Sequence, residues 1–372
     1  MTRVLASEQW TRQLLQRDRS LSVVEVVELA GGIYSTAPTS YLSFAARIPG
    51  FVRDDLDRAL YRDRTLVRLS ALRGSGFLIP LEMIDDVVAA SDRANVYEGW
   101  VEKLVGAEVR EDWRARILSL LGGRVMPARE IRTELGVSGR DSEALRFLLS
   151  SLSQTRQVAA ATGTTGWRDN QHGYTLWEQW FSNHPPGKAD PDKARLVVAR
   201  WYLSGHGPGT VDHFAWWAGM TKANAAAALS SFEEIEQGVF DLDEPSERVE
   251  PSGLRLLPVW DTALVAPRGR RRMVRTAHQP YVYDTSGNLT STIVKDGGVI
   301  GVWSRGGDSD HIDLKAAPFE SFTKSVRLGI EQEAHVLATS VGAADVRVEY
   351  VDEPVDLTEA SRNRFLSPLK DS

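Results

Sequence analysis

The stretch Ser142-Glu143-Ala144-Leu145-Arg146-Phe147-Leu148-Leu149-Ser150-Ser151-Leu152-Ser153-Gln154 decides the fold. Leu145, Leu148, Leu149 and Leu152 recur at i, i+3, i+4 and i+7, the spacing of one buried helix face. Working backward, Asp112 to Leu121 predicts a helix stopped at Gly122-Gly123. Ala128 to Leu135 predicts a second, stopped at Gly136, and Ser138 to Asp141 forms the turn into the third. Working forward, Gln157 to Ala161 and Tyr174 to Leu176 read as strands around a Gly- and Thr-rich tip, Thr162 to Gly166. Helix, helix, turn, helix, hairpin is the order of a winged helix.

The same order is expected twice more. In the first module Ser22 caps a helix Val23 to Leu29 that Gly31-Gly32 stops, and Ser35-Thr36-Ala37-Pro38 turns the chain. Helices at Tyr41 to Arg47 and Asp54 to Tyr61 follow, then strands Thr65 to Leu69 and Gly76 to Ile79 around Arg73-Gly74-Ser75-Gly76. In the third, helices Asp192 to Leu203, Val211 to Gly219 and Lys222 to Ser230 precede strands within Phe232 to Leu242. Asn183 to Pro191, with three prolines and a glycine, reads as a linker.

From Leu254 short β-branched and aromatic runs take over: Arg255 to Val259, Val282-Tyr283, Thr290 to Val294, Val299 to Trp303, His311 to Leu314 and Val346 to Val351. Ser286-Gly287-Asn288 and Asp296-Gly297-Gly298 are hairpin turns, and Phe319 to Leu337 interrupts the strands as a helix. The expected fold is α+β: tandem winged-helix domains at 1–108, 109–182 and 192–250, then a β-rich domain at 254–372 forming a small barrel.

Composition bounds the function. The 372 residues are 42% apolar and 25% charged, a globular mix that suits two to four domains. Absence of cysteine excludes disulfides, thiolate metal sites and cysteine nucleophiles, and fits a reducing compartment. The N-terminus has no apolar h-region and no stretch reaches membrane-spanning length, so a cytoplasmic, membrane-free protein is expected, and a monomer is the expected state. A net charge of -6 argues against wholesale nucleic-acid binding and directs attention to local basic stripes. The one dense stripe is Arg268-Gly269-Arg270-Arg271-Arg272 with Arg275 behind it, where guanidinium groups suit bidentate phosphate contacts. Arg73, flanked by glycine in the first wing, is a second DNA-contact candidate, and the tip Thr162 to Gly166 with Arg168 a further wing. Asp261 is expected to pair with the neighbouring arginines. Trp216-Trp217 is expected in the core. The histidines show no metal-ligand spacing, and no dinucleotide or Walker motif occurs, so neither metal nor cofactor is expected.

Four stretches together resemble the AlkZ/YcaQ-like winged-helix DNA glycosylase family. They are Tyr41 to Arg47 with Asp55 to Leu60, Leu72 to Leu78, Tyr202 to Gly219 (including Gly207-Pro208-Gly209-Thr210-Val211-Asp212-His213-Phe214-Ala215-Trp216-Trp217), and Leu256-Leu257-Pro258-Val259-Trp260-Asp261 with Val299 to Trp303. The resemblance implies tandem winged helices, a C-terminal β-barrel, and removal of alkylated or crosslinked purines from double-stranded DNA without a cofactor. It also implies a catalytic Gln-x-Gln or related polar pair early in the first module. Here that segment is Gly32-Ile33-Tyr34-Ser35-Thr36-Ala37-Pro38. Aligned on the glycine, Tyr34 and Thr36 stand at the signature positions; aligned on Ala-Pro, Ile33 and Ser35 do. Neither register contains glutamine.

Cleavage of a cationic alkylpurine has a good leaving group, so the site must chiefly orient water and tolerate oxocarbenium-like charge. Hydroxyls can orient water, which makes Tyr34, Ser35 and Thr36 the catalytic candidates. The bland alternative is that they shape a turn into the next helix. Three functions are therefore expected in descending order: a monofunctional glycosylase acting in DNA repair, a non-catalytic DNA-binding protein of the same architecture, and a winged-helix scaffold for protein partners.

Overall fold

The computed structural model describes residues 3–91, 93–163, 167–168, 172–243, 248–265, 272–360 and 363–369. The chain forms two compact units, one from Met1–Leu56, Trp201–His213 and Phe232–Ser372, the other from Asp57–Arg200 and Phe214–Ser231.

The second unit contains the stretch that decides the fold. Helix Ala107–Leu120, strand Met126–Pro127, helices Ala128–Glu134 and Asp141–Gln154, and strands Val158–Gly163 and His172–Leu176 follow in that order. The last strand lies between the other two, so the short first strand and the hairpin make one three-stranded sheet. Leu145, Leu148, Leu149 and Leu152 are buried together with Trp113, Ile117, Met126 and Ile131, as the helical spacing requires. At roughly 1.5–3 kcal/mol per large apolar side chain removed from water, this core outweighs any polar contact on the module's surface.

In the same unit strands Leu66–Ala71 and Ser75–Pro80 pair antiparallel, with Leu66 opposite Pro80 and Ala71 opposite Ser75. The segment expected as a linker is tied down: Arg156 pairs with Asp85 and donates to Gly187 O at 2.8 Å, and Gly187 N donates to Asp85 Oδ1 at 3.3 Å.

The first unit holds a five-stranded sheet in the order Leu254–Leu257, Thr292–Lys295, Gly298–Gly307, His311–Pro318, Asp345–Tyr350. Neighbours run antiparallel except the last pair, which is parallel. The two outer strands do not pair with each other, so the sheet is open and the expected barrel is not formed. The reason lies in the helix Lys324–Val341, which joins the parallel pair and packs on both outer strands. A helix lying across the sheet buries its apolar face, and the burial that closure would supply is no longer needed. Thr323 caps this helix by accepting from Val326 N at 3.3 Å, so it begins five residues after Phe319.

The run Val282-Tyr283, expected as a strand, is also different. Gln279–Val282 is a helical turn led by Pro280, and only Tyr283 bridges, to Leu289 across the Gly287 turn. Proline supplies no ladder donor but suits the first turn of a helix. Residues 191–241 hold three helices and three strands. Helices Pro191–His206, Val211–Ala218 and Lys222–Leu229 are accompanied by strands Gly209–Thr210, Glu233–Glu236 and Val239–Asp241. The last of these strands is central in its three-stranded sheet.

Candidate functional site

The candidate segment begins where the helix Val23–Leu29 ends. Ser22 and Glu25 form a reciprocal capping box: Ser22 N donates to Glu25 Oε2 at 2.7 Å and Glu25 N to Ser22 Oγ at 3.2 Å. The backbone bond from Ser22 holds the Glu25 carboxyl below its ordinary range. The helix stops at Gly31 and Gly32, both at positive φ (69° and 89°), a conformation costly for any residue with a Cβ. Ile33–Tyr34 then runs extended, and after Thr36 to Pro38 the helix Thr39–Ala45 begins. Tyr34 and Ser35 are buried.

Thr36 differs from an ordinary turn residue. Its carbonyl accepts from Ser40 N at 3.0 Å, yet its Oγ1 is shielded from solvent and has no hydrogen-bond partner among the described residues. Ser40 Oγ, one helical turn on, is in the same state. A buried hydroxyl without a partner costs on the order of 1–3 kcal/mol, so a ligand or water that satisfied it would be stabilising.

Around this segment the interior is polar. Helix Arg3–Arg12 and the residue after it bury Gln9, Arg12 and Gln13, which share a face at i, i+3 and i+4. Gln9 Nε2 donates to Ala263 O at 2.9 Å; Arg12 donates to Leu203 O at 2.8 Å and grips Asp241 at 2.9 and 2.7 Å. Gln13 Nε2 donates to Ala30 O at 2.9 Å and Gly205 O at 2.6 Å and lies 3.3 Å from His206 Nδ1. His206 Nε2 lies 3.2 Å from Gly31 O. This arrangement suits a ring donating from Nε2 to the Gly31 carbonyl. Burial pushes the imidazole pKa down to about 3, with Arg272, Arg47 and Arg12 adding repulsion and the Gly31 contact opposing them.

Asp261, expected to pair with the arginine run, most of which lies outside the described residues, pairs with Arg47. The two are fully buried and bidentate, Nη2 to Oδ1 at 2.8 Å and Nη1 to Oδ2 at 2.9 Å. Ser43 Oγ donates to Asp261 Oδ2 at 2.7 Å, and Ala263 N to Oδ1 at 3.0 Å.

The basic candidates separate. Arg268, Arg270 and Arg271 lie outside the described residues. Arg272 turns inward: its guanidinium donates to Gln9 Oε1 at 3.0 Å, to the carbonyls of His206 at 2.8 Å and Gly207 at 3.0 Å, and to that of Pro208. Four such partners make it a strut between chain segments, an interior role in place of the expected phosphate contact. Arg275 is exposed and 3.3 Å from Glu320. In the other unit Arg73, at the hairpin tip, stacks its guanidinium 3.8 Å from the Trp216 ring centre. Trp217 is in the core as expected, whereas Trp216 is only partly buried beneath that arginine. Most of the tip expected at Thr162 to Gly166 lies outside the described residues. No group of three His, Cys, Asp or Glu side chains that could hold a metal occurs among the described residues.

Gln9, Gln13, Arg47 and His206 escaped sequence reasoning. Their signal was a polar i, i+3, i+4 face on the first helix, which reads equally as a solvated face, and a single cation ending the apolar run Tyr41 to Ala46.

Comparison with known proteins places this geometry in context. The family model for the AlkZ-like DNA glycosylases matches residues 26–340. An interstrand DNA cross-link repair glycosylase of Streptomyces sahachiroi is 23% identical, over 91% of this chain and 96% of its own. The solved structure of the Streptomyces sahachiroi DNA glycosylase AlkZ superposes with a TM-score of 0.74 at 22% identity, over 94% of this chain and 99% of that one.

Proposed function

The chain belongs to the AlkZ-like DNA glycosylase family, and from that premise we propose that it hydrolyses the N-glycosidic bond of alkylated purines in duplex DNA, crosslinked purines included. The observation that carries the reading is Thr36 Oγ1, shielded and unpartnered in the segment where the family resemblance puts its polar pair. The relative's name, a cross-link repair glycosylase, supports extending the substrate class to crosslinks.

In the proposed reaction the bond between purine nitrogen and C1′ breaks and its electrons neutralise the cationic base. Water adds to the resulting oxocarbenium carbon and loses its proton. Because the base leaves as a neutral molecule, no strong general acid is required. The hydroxyls of Thr36, Tyr34 and Ser35 orient the water. Lacking a carboxylate or amide in that segment, they favour substrates whose departing base is already charged.

The tandem winged-helix division at 1–108, 109–182 and 192–250 is part of the same reading, supported by three successive runs of helix, helix, hairpin. DNA contacts are assigned to Arg73, Arg268, Arg270 and Arg271, with a monomer acting in the cytoplasm or on the nucleoid. The experiment is base release from 7-methylguanine-containing and crosslinked duplexes. Release that is lost when Tyr34→Phe, Ser35→Ala and Thr36→Val are combined supports the proposal. Salt-dependent DNA binding with no release from any alkylated duplex would leave a non-catalytic DNA-binding protein.

A further inference from the structure

One buried polar chain brackets the catalytic candidates from both sides. It starts at Asp261, passes through the bidentate pair to Arg47, and leaves Arg47 Nη2 by a 3.1 Å bond to Gln13 Oε1. Gln13 then holds the Ala30 and Gly205 carbonyls, and His206 reaches the Gly31 carbonyl. The peptide units immediately before Gly32 are thus pinned. After the segment, Ser43 is bonded to Asp261, Arg47 Nη1 returns to Ser43 O at 2.9 Å, and Thr39 Oγ1 donates to Val259 O at 2.9 Å. The helix that follows Thr36 is pinned by the same carboxylate and the strand end beside it.

The fit is tight enough to exclude side chains. A Cβ on Gly205 would lie 2.1 Å from the Ala30 carbonyl, and one on Gly31 would lie 2.9 Å from the His206 ring. A fully buried ion pair is seldom needed for stability, since apolar residues of equal volume serve as well. What a bidentate pair adds is direction, and here it is passed to residues 30 and 31 before the segment Gly32 to Thr36 and to the helix from Thr39 after it.

We propose that Asp261, Arg47, Gln13 and His206 are positioning residues that hold the Gly32 to Thr36 backbone in the register at which its hydroxyls meet water and the sugar. The proposal rests on the glycosylase reading above and deepens it. None of the four is assigned contact with DNA. They act through the carbonyls of residues 30 and 31 and through the helix from Thr39.

The test uses the full chain in two variants. Arg47→Met combined with Asp261→Leu removes the pair without leaving a lone buried charge. We expect it to melt near the parent while single-turnover base release slows by at least about tenfold. Its affinity for the same alkylated duplex should stay unchanged. A double variant that melts like the parent and releases base at the parental rate overturns the proposal. Gln13→Ala, a gentler change, is read by hydrogen exchange. The amides of residues 31–36 should exchange at least about tenfold faster, while those of Lys324–Val341 stay as they were. Equal protection at residues 31–36 in Gln13→Ala and parent also overturns it. Exchange does not depend on turnover, so a parent that releases no base would remove the glycosylase reading alone.

Discussion

Residues 107–176 and residues 30–47 both bury apolar side chains (Leu148 and Leu152 in the first, Ile33 and Phe44 in the second), and they differ in what is added to that packing. The first region surrounds an apolar cluster in which Leu148, Leu152 and Ile117 have no exposed surface. The second is fastened by charge and amide: Arg47, Asp261, Gln13 and His206 are equally buried but polar. Apolar packing is non-directional and tolerates exchange of one hydrophobe for another, whereas a bidentate pair fixes angle as well as distance. The apolar region therefore supplies stability, and the polar region supplies the geometry of a segment only a few residues long.

The largest effect expected from this contrast follows Arg47→Ala, which strands the Asp261 carboxylate in the interior. The loss should be about 3–5 kcal/mol in denaturant unfolding. A loss below roughly 1 kcal/mol would mean the pair is not buried as described. Leu148→Ala, in the apolar region, should cost about 2–5 kcal/mol, yet at a temperature where the variant is folded its base release should keep the parental rate constant. A slowed rate there would dissolve the division between the two regions.

Acidity separates the regions next. His206 has a folded pKa near 3 against roughly 6.5 when unfolded, so between those values the unfolded chain binds a proton that the folded chain does not. Its contribution to stability is complete above the unfolded value. It then falls by up to about 1.4 kcal/mol per unit as the pH drops toward 3. The groups that face it, Arg12, Arg47 and Arg272, all lower its pKa, in the same direction as burial does. His206→Gln should flatten that part of the unfolding free energy against pH, and an unchanged slope would contradict the assignment.

The smallest effect is the most diagnostic of function. Thr36→Val replaces an unpartnered hydroxyl by a methyl of similar shape. Thermal unfolding should show the variant unchanged or stabilised by up to about 1 kcal/mol, while base release slows. Parental release from Thr36→Val would assign the segment to turn formation.

The same contrast explains what could be read in the chain. Leu145, Leu148, Leu149 and Leu152 announce their face because a helical period and a core share one spacing. The glycine stop at Gly31-Gly32 and the Asp296-Gly297 turn are equally local. Nothing local announces that Arg47 meets Asp261, 214 residues away. Nor does it show that Arg272, in a run that looks made for phosphate, faces inward onto three carbonyls. Arginine density predicts charge, not the direction in which each side chain leaves the backbone. The expected barrel is absent for a related reason. Strand count is visible in β-branched runs, but closure depends on whether the outer strands meet, and here Lys324–Val341 lies against both.

The central claim is that the hydroxyl segment Tyr34 to Thr36 carries water to an alkylated nucleotide. The most direct test is single-turnover release of 7-methylguanine from duplex DNA by the parent and by the combined Tyr34→Phe, Ser35→Ala, Thr36→Val variant, at equal DNA saturation. The account predicts release by the parent and a loss of at least about a hundredfold in the variant, with DNA affinity retained. Equal release by the two proteins would contradict it.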